Sequence, residues 1–202
     1  AAHKRKTERL EDCLKVVDWV FETARKKNIT TILFGGDLLH DRQKIDVYTY
    51  QRLFETLKRN LVDEQVKRNL PTNVTLYLLL GNHDLWFNDD TSISSVVPFS
   101  ALPGVKIIDH PTRLSLCGGT WDFIPFTHDP ISAVQELKDK PGTAQYCLGH
   151  IAIDGAILHG SHTSDVVIEH DGDMVRVSAD LFRHYKAVIL GLEGAEPQSV
   201  VI

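Results

Sequence analysis

Apolar residues recur at helical spacing in two stretches of the first half of the chain. In residues 8–27 they return every three or four positions, which predicts an amphipathic helix, and they are Leu10, Leu14, Val17, Phe21 and Ala24. Thr7 stands just before this stretch and is a residue type that caps helices. A second helix is predicted from residue 45 to about residue 60, with one apolar face formed by Leu53, Phe54, Leu57 and Leu61.

Two nearly continuous apolar runs, residues 29–34 and 74–80, each follow one of these helices. Strands that are apolar at every position are typical of parallel strands that are covered on both faces. A helix between two strands is also the usual connection between parallel neighbours. The first 84 residues therefore predict the order helix, strand, helix, strand, which is an α/β pattern.

The second half consists mainly of short β-like segments separated by Gly, Pro, Asp and His. The predicted strands are residues 105–108, 113–116, 120–124, 146–148, 165–168, 174–177 and 187–190, and one helix is predicted for residues 130–140. Parallel units followed by a β-rich half indicate two sheets that pack together and are flanked by helices. Repeats and linkers are not evident, so we expect one domain over residues 1–202.

Composition narrows the class of protein. The chain is 43% hydrophobic and 24% charged, which is typical of a globular domain. We expect no membrane segment, because no apolar run reaches the roughly 20 residues that a span needs. We also expect no secretory signal, because the basic start is not followed by an apolar run. Three scattered cysteines favour reduced thiols and a cytoplasmic location.

The net charge of -5 argues against a protein that coats nucleic acid by bulk electrostatic attraction. It does not argue against a nuclease, because bound metal ions would supply the positive field that faces phosphate. A serine hydrolase and a P-loop enzyme are disfavoured, since neither Gly-x-Ser-x-Gly nor Gly-x-x-x-x-Gly-Lys-Ser/Thr occurs.

Polar side chains follow three predicted strands at the point where each strand ends. Asp37 follows Gly35-Gly36, Asn82 lies in the run Gly81-Asn82-His83-Asp84, and His150 follows Gly149. Ligands of open α/β sheets gather outside the carboxyl ends of strands, so Asp37, Asn82 and His150 are the candidate metal ligands. Each has an ordinary alternative, namely a turn aspartate, an Asx turn and a core or surface histidine.

Other polar residues near these tips are candidates for catalysis and substrate binding. His83 is expected to face the substrate, and Asp84 to accept a hydrogen bond from the His83 ring and fix its tautomer. His40 could contact a phosphate, and Arg42 could pair with one as a fork. The alternative for His40 and Arg42 is an ordinary polar approach to the second helix.

The motifs resemble a known family. Gly-Gly-Asp-Leu-Leu-His-Asp-Arg at residues 35–42, Gly-Asn-His-Asp at 81–84 and Gly-His at 149–150 are similar to the motifs of calcineurin-like metallophosphoesterases. The histidine three positions after Asp37 and the stretch Trp-Asp-Phe-Ile-Pro-Phe at 121–126 resemble SbcD-type DNA-repair nucleases and phage recombination endonuclease subunits. The resemblance covers roughly residues 8–191.

The resemblance implies a four-layer α/β/β/α sandwich with two divalent ions at one rim. Asp37 would bridge the ions, Asn82 and His150 would bind one of them, His83 would face the scissile phosphate, and His40 would orient the substrate. Mn²⁺ is favoured over Zn²⁺ because the donors are oxygen and imidazole without a thiolate, and Mg²⁺ is the alternative. The implied activity is hydrolysis of DNA phosphodiesters in a recombination or repair complex.

The implied partners are DNA, an SbcC-type, SMC-like coiled-coil ATPase subunit and a second copy of the chain. The implied location is the cytoplasm of a bacterial or phage-infected cell.

Two motifs of that family are absent from the chain. The opening Asp-x-His is missing, so we expect the first strand to be missing as well, and Gly191-Leu192-Glu193-Gly194 stands in place of the closing Gly-His-x-His. The favoured explanation is a truncated or edited form of a longer nuclease. The others are an inactive paralogue and partial replacement of the missing ligands by Glu193.

We therefore expect weak metal binding and little or no nuclease activity from this chain. The rival functions are a metallophosphatase acting on nucleotides or phosphoproteins and a catalytically dead scaffold subunit.

Overall fold

The computed structural model describes residues 2–40, 44–64, 74–87, 90–156, 164–191 and 198–200. Three α-helices lie in these parts of the chain. Helix α1 spans Ala2–Lys26, α2 spans Val47–Lys58 and continues as a π-helical turn at Arg59–Asp63, and α3 spans Pro130–Asp139. The prediction that Thr7 caps the first helix is wrong, because α1 already runs through that position. Asp46 caps α2 instead, and its carboxylate accepts a hydrogen bond from the Thr49 backbone N–H at 3.0 Å.

The first sheet contains three parallel strands. They are β1 at Thr31–Phe34, β2 at Thr75–Leu79 and β3 at Val105–Ile108, and they lie side by side in this order. Leu33 pairs with Tyr77, and Leu78 pairs with Ile107. The strands therefore end at the same edge of the sheet, and this edge carries the Gly-Gly-Asp and Gly-Asn-His-Asp turns.

The second sheet contains five strands in the order β10-β9-β6-β5-β4. Strands β4 (Thr112–Leu116) and β5 (Gly119–Ile124) form an antiparallel hairpin, and β5, β6 (Tyr146–His150) and β9 (Ala187–Gly191) run parallel. Strand β10 (Gln198–Val200) pairs antiparallel with β9 and was not predicted. A separate antiparallel hairpin joins β7 (Val167–His170) to β8 (Asp173–Arg176).

Three apolar clusters hold these layers together. The first packs α1 and α2 onto one face of the first sheet, the second lies between the two sheets, and the third packs α3 onto the outer face of the second sheet. Tyr77 of β2 and Phe123 of β5 meet across the middle cluster with ring centroids 6.3 Å apart. The arrangement is a four-layer α/β/β/α sandwich, as predicted.

The stretch at residues 121–126 connects the two sheets near the edge where the turns lie. Phe123 is fully buried between the sheets, and the Phe126 N–H donates to the carbonyl of Leu80 at 2.8 Å. The segment after β5 is thus hydrogen-bonded to the end of the segment that contains β2.

Within the described residues, no helix is both long enough and apolar enough to cross a membrane.

A buried ion pair lies in the second sheet. Arg113 of β4 donates to both carboxylate oxygens of Asp122 of β5, at 2.7 and 2.8 Å, and the hydroxyl of Tyr185 donates to the same carboxylate at 2.8 Å. Asp122 is completely buried and the Arg113 side chain is 12% exposed. Removing one partner would leave a charge without compensation in the protein interior.

We therefore expect Arg113→Met to lower the free energy of unfolding by about 3–5 kcal/mol, because Asp122 would lose its counter-charge. Arg183→Met is the matched control, since the side chain of Arg183 is 72% exposed in its pair with Asp180, and it should cost less than about 1 kcal/mol. Urea unfolding of both variants measures the difference. Equal losses would show that the buried pair has no special role in stability.

A second ion pair joins the β7–β8 hairpin to the start of α3. His170 Nδ1 lies 2.9 Å from Asp129 Oδ2, and Asp129 also accepts from the backbone N–H of Ser132 at 3.0 Å. Burial alone would raise the pKa of Asp129, but the hydrogen bonds from Ser132 and His170 outweigh it and lower this pKa to about 2. The hydrogen bond to Asp129 raises the pKa of His170 above its ordinary 6.5.

The sign of the pH dependence follows from these shifts. The Asp129 contribution to stability is complete above pH 3.8 and is lost as the pH falls towards 2, whereas the His170 contribution is complete below pH 6.5 and is lost as the pH rises through the raised pKa. We expect His170→Gln to destabilise the protein at about pH 5.5 and to have a smaller effect at about pH 9. Urea unfolding at both pH values measures this. In an Asp129→Asn background the pH difference should shrink to the smaller part that the nearby Asp171 carboxylate supplies, and an undiminished difference there would refute the ion pair as its source.

Candidate metal centre

The three predicted metal ligands meet at one rim of the sandwich. Asp37 follows β1, Asn82 follows β2, and His150 is the last residue of β6 in the second sheet. His150 Nε2 lies 3.0 Å from Asn82 Oδ1 and 3.4 Å from Asp37 Oδ2. Three donor atoms from distant parts of the chain therefore converge, and Asn82 and His150 are almost fully buried.

The hydrogen bond on the far side of the ring sets the state of His150. Its Nδ1 lies 2.8 Å from the carbonyl oxygen of Gly35, so Nδ1 carries a proton and donates it. In the neutral ring, the Nε2 lone pair then faces two oxygen atoms, from Asn82 and Asp37. The lone pairs of these three atoms would repel one another. Either a proton on Nε2 or a cation among the three atoms is needed to remove this repulsion.

The protonation behaviour fits this arrangement. Burial works to lower the pKa of His150, but the hydrogen bond and charge of Asp37 outweigh it and raise this pKa above its ordinary value. Burial works to raise the pKa of Asp37, but His150 and the His83 backbone N–H outweigh it and lower this pKa. The site therefore favours a positive charge beside the carboxylate of Asp37.

Glycine is required at two positions because the backbones approach the donors so closely. Gly36 has a φ of 102°, and a methyl group there would overlap the His150 ring. A methyl group at Gly81 would overlap the Asp37 carboxylate. Asp37 itself has a φ of 58°, a left-handed conformation that turns the chain at the end of the Gly-Gly-Asp run.

Asp84 connects the two turns of the first sheet. One carboxylate oxygen accepts the N–H groups of Asp37 and Gly81, both at 2.9 Å, and the other accepts those of Leu38 at 3.0 Å and Leu39 at 3.4 Å. The expectation that Asp84 accepts from the His83 ring is therefore corrected, since both oxygens are occupied by backbone N–H groups. Burial raises the pKa of Asp84, and the charge of Asp37 adds to this effect, while the N–H groups oppose it.

His83 is oriented by His40 rather than by Asp84. His83 Nδ1 lies 2.5 Å from the carbonyl oxygen of His40, and the two imidazole rings stack with centroids 5.4 Å apart and planes 11° apart. The His83 backbone N–H donates to Asp37 Oδ1 at 2.9 Å. His83 is thus held beside the converging donors by contacts with two residues of the segment after β1.

The donor set fits one divalent cation. Ligands bound at about 2.1 Å around an octahedral ion lie about 3 Å from one another, which matches the 3.0 Å between Asn82 and His150. Thiolate ligation is disfavoured, because the buried Cys147 belongs to the cluster beneath α3 and burial raises the pKa of its thiol. Within the described part of the chain, no group of three or more His, Cys, Asp or Glu side chains could hold a metal.

Two residues that the sequence suggested for the site cannot be placed, and three contacts of the site were not predicted. Arg42 and Glu193 both lie outside the described residues. The carbonyl groups of Gly35 and His40 were not predicted as partners of the two imidazole rings. Gly191 was not predicted as part of the site either, and its position beside the Gly35 carbonyl and the His150 ring leaves no room for a side chain. The glycine at each tip was the available signal, since glycine marks close backbone approach.

Comparison with known proteins adds two findings. The model of the family described as calcineurin-like phosphoesterase matches residues 3–187. The chain is also similar to "Exonuclease subunit 1" of Enterobacteria phage T4, with 27% identity over 135 residues. This alignment covers 66% of the chain and 37% of the phage protein, so the chain spans little more than a third of that relative.

Because Asp84 joins the two turns, we expect its replacement by asparagine to lower the stability of the protein strongly. Asp84→Asn removes the negative charge and turns an NH₂ group towards backbone N–H groups, so we expect a loss of at least about 3 kcal/mol in the free energy of unfolding. Mn²⁺ affinity should fall as well, although Asp84 is not one of the converging donors. Urea unfolding and calorimetric Mn²⁺ titration measure the two effects.

Asp171→Asn is the control for this prediction. The Asp171 side chain is 91% exposed, so the same change should alter stability by less than about 0.5 kcal/mol. Unchanged stability and Mn²⁺ affinity in Asp84→Asn would refute the role of Asp84 in joining the turns.

Proposed function

The chain belongs to the calcineurin-like phosphoesterase family, and we propose that it is a metal-dependent DNA nuclease subunit of a recombination or repair complex. The observation that carries this proposal is the convergence of Asp37, Asn82 and His150 at one rim. Members of the family use divalent metal ions. The similarity to a phage exonuclease subunit supports DNA as the substrate.

Three atoms of this chain would hold a metal ion, namely Asp37 Oδ2, Asn82 Oδ1 and His150 Nε2. A bound divalent ion supplies positive charge for the phosphate oxygens and acidifies water. Mn²⁺ is the proposed ion, with Mg²⁺ as the alternative, because the donors are oxygen and imidazole. The other carboxylate oxygen of Asp37, Oδ1, accepts the His83 N–H, so Asp37 would hold a metal ion and position His83 at the same time.

His83 is the proposed proton donor to the leaving oxygen. Its Nδ1 is directed to the carbonyl of His40, so Nε2 is the ring atom that would face the substrate. The ring of His40 stacks on the His83 ring and limits its rotation, and His40 is the proposed contact to a phosphate oxygen. Arg42 as a phosphate fork remains a prediction from the sequence.

The proposed partners are DNA, an SbcC-type ATPase subunit and a second copy of the chain. The word "subunit" in the name of the phage relative supports assembly with other chains. Exposed apolar side chains on the segment after the site, Trp86, Phe87 and Ile93, offer a surface for such contacts.

A catalytically dead scaffold is the second candidate. The observation in its favour is that the described residues offer one carboxylate, one imidazole and one amide to the converging site, without a cluster of three His, Cys, Asp or Glu side chains. We expect this set to bind a hard divalent ion weakly, because only one of its three donors is charged. The two candidates therefore differ in whether the chain takes up metal and hydrolyses phosphoesters at high metal concentration.

The experiment follows hydrolysis of linear DNA and binding of Mn²⁺ by the same protein. We expect slow cleavage that increases with Mn²⁺ into the millimolar range and stops with EDTA. His83→Ala should lower turnover at least about 100-fold, because general acid catalysis contributes about 10²–10⁴, and it should leave Mn²⁺ affinity unchanged. Asn82→Ala and His150→Ala should lower both the turnover and the Mn²⁺ affinity. His110→Ala, at an exposed histidine, is the control and should change neither.

Three outcomes would contradict these assignments. Loss of Mn²⁺ affinity in His83→Ala would make His83 a ligand. Hydrolysis of phosphomonoesters without hydrolysis of DNA would favour a phosphatase. Absence of Mn²⁺ uptake and of hydrolysis at millimolar Mn²⁺ would favour the scaffold.

A further inference from the structure

A cavity of about 540 Å³ is lined by residues of α1, of the segment after β1 that includes His40, and of the start of α2. Leu10 of α1 and Leu39 and Ile45 of the segment after β1 contribute apolar side chains to its wall. None of the three candidate metal ligands is among its lining residues. The cavity is therefore a separate space that neighbours the candidate metal centre.

His40 is the link between the two spaces. It lines the cavity, and its ring stacks on the ring of His83. A phosphoester whose phosphate lies against His83 would thus have a substituent that passes His40 and enters the cavity. The residues at this end of the cavity already contact the residue that we propose as the proton donor.

The size and the lining suit one nucleoside. Small-molecule pockets have volumes of about 300–1,000 Å³ and mostly apolar walls with a few polar groups. Tyr48 is one of the lining residues and is 49% exposed, so its ring can offer a face on which a base stacks. Lys44 adds a positive charge to the lining, while the Asp46 carboxylate accepts the Thr49 N–H at the start of α2.

Helices α1 and α2 are packed together before any ligand binds, because apolar side chains of both share the first buried cluster and an ion pair joins them as well. Arg52 of α2 donates to both carboxylate oxygens of Glu11 of α1, at 2.9 and 3.0 Å. Glu11 follows Leu10, and Arg52 lies one turn beyond Tyr48. A ligand therefore does not have to order the two helices when it enters, which lowers the cost of binding.

We propose that this cavity is a subsite for the nucleoside next to the scissile phosphate, with the base against Tyr48 and the apolar wall and an adjoining phosphate near Lys44. The proposal rests on the proposed phosphodiesterase function and adds a substrate class to it. A base can enter the cavity only when it is unpaired, so the preferred substrates are single strands and frayed or single-stranded ends.

The test is the binding of thymidine 5′-monophosphate to the full chain in the presence of EDTA, followed by methyl NMR. We expect the largest shifts at the methyl groups of Leu10, Leu39 and Ile45, and much smaller shifts with ribose 5-phosphate, which lacks a base. Because metal is absent, the result does not depend on catalysis. Shifts of the same size with both ligands would overturn base recognition.

Two matched pairs of variants sharpen this test. Tyr48→Ala should weaken mononucleotide binding about tenfold, the scale expected for loss of one stacking ring. Trp19→Ala should not weaken it, because Trp19 is another exposed helical aromatic residue and lies outside the cavity lining. Lys44→Gln should weaken binding of the mononucleotide but not of thymidine, whereas the exposed Lys106→Gln should affect neither.

The failure of this proposal is distinct from the failure of the proposed function. Cleavage of DNA without mononucleotide shifts in the cavity would reject the subsite and keep the nuclease. Mononucleotide binding in the cavity, lost in Tyr48→Ala, without hydrolysis of any phosphoester would keep a nucleotide site and reject the nuclease. Shifts centred elsewhere, or affinity unchanged in Tyr48→Ala, would also reject the subsite.

Discussion

The buried carboxylate of Asp84 is the constraint on which the candidate site depends. It accepts N–H groups from the turn after β1 and from the turn after β2, so one side chain fixes the relative position of two loop tips. Those tips carry Asp37 and Asn82. The backbone groups would otherwise be left without partners in a buried place, and this explains why a carboxylate is retained there although burial opposes its charge.

The second sheet completes the site through a different kind of contact. His150 ends β6 and donates to the Gly35 carbonyl, so the ring is held by the backbone of the first sheet. Gly36, Gly81 and Gly191 leave the room that this approach needs. Three electron-donating atoms consequently face one another without another partner between them. Either a protonated His150 or a bound cation makes their proximity favourable, because both place a positive charge beside the carboxylate of Asp37.

The elements and the positions of the loop tips could be predicted from the sequence, because they depend on local pattern. Apolar runs predicted β1 and β2, and three- and four-residue spacing predicted α2 and most of α1. The partner of each polar group could not be predicted in the same way. Asp84 lies beside His83 in sequence, yet its partners include the N–H groups of a turn 45–47 residues away. Thr7 fails as a cap for a related reason, since the preceding residues also adopt helix and leave no helix start to cap.

His40 shows how the two halves of the proposed site can act together. Its carbonyl orients His83, its ring stacks on His83, and the residue is part of the lining of the cavity beside α2. A group that fills the cavity must therefore contact the residue that orients the proposed proton donor. Binding energy gained away from the reacting phosphate can then be used to hold His83 and the phosphate in register, which is how remote contacts accelerate a chemical step. This coupling needs no movement of α1 or α2, because the Glu11–Arg52 pair already holds them together.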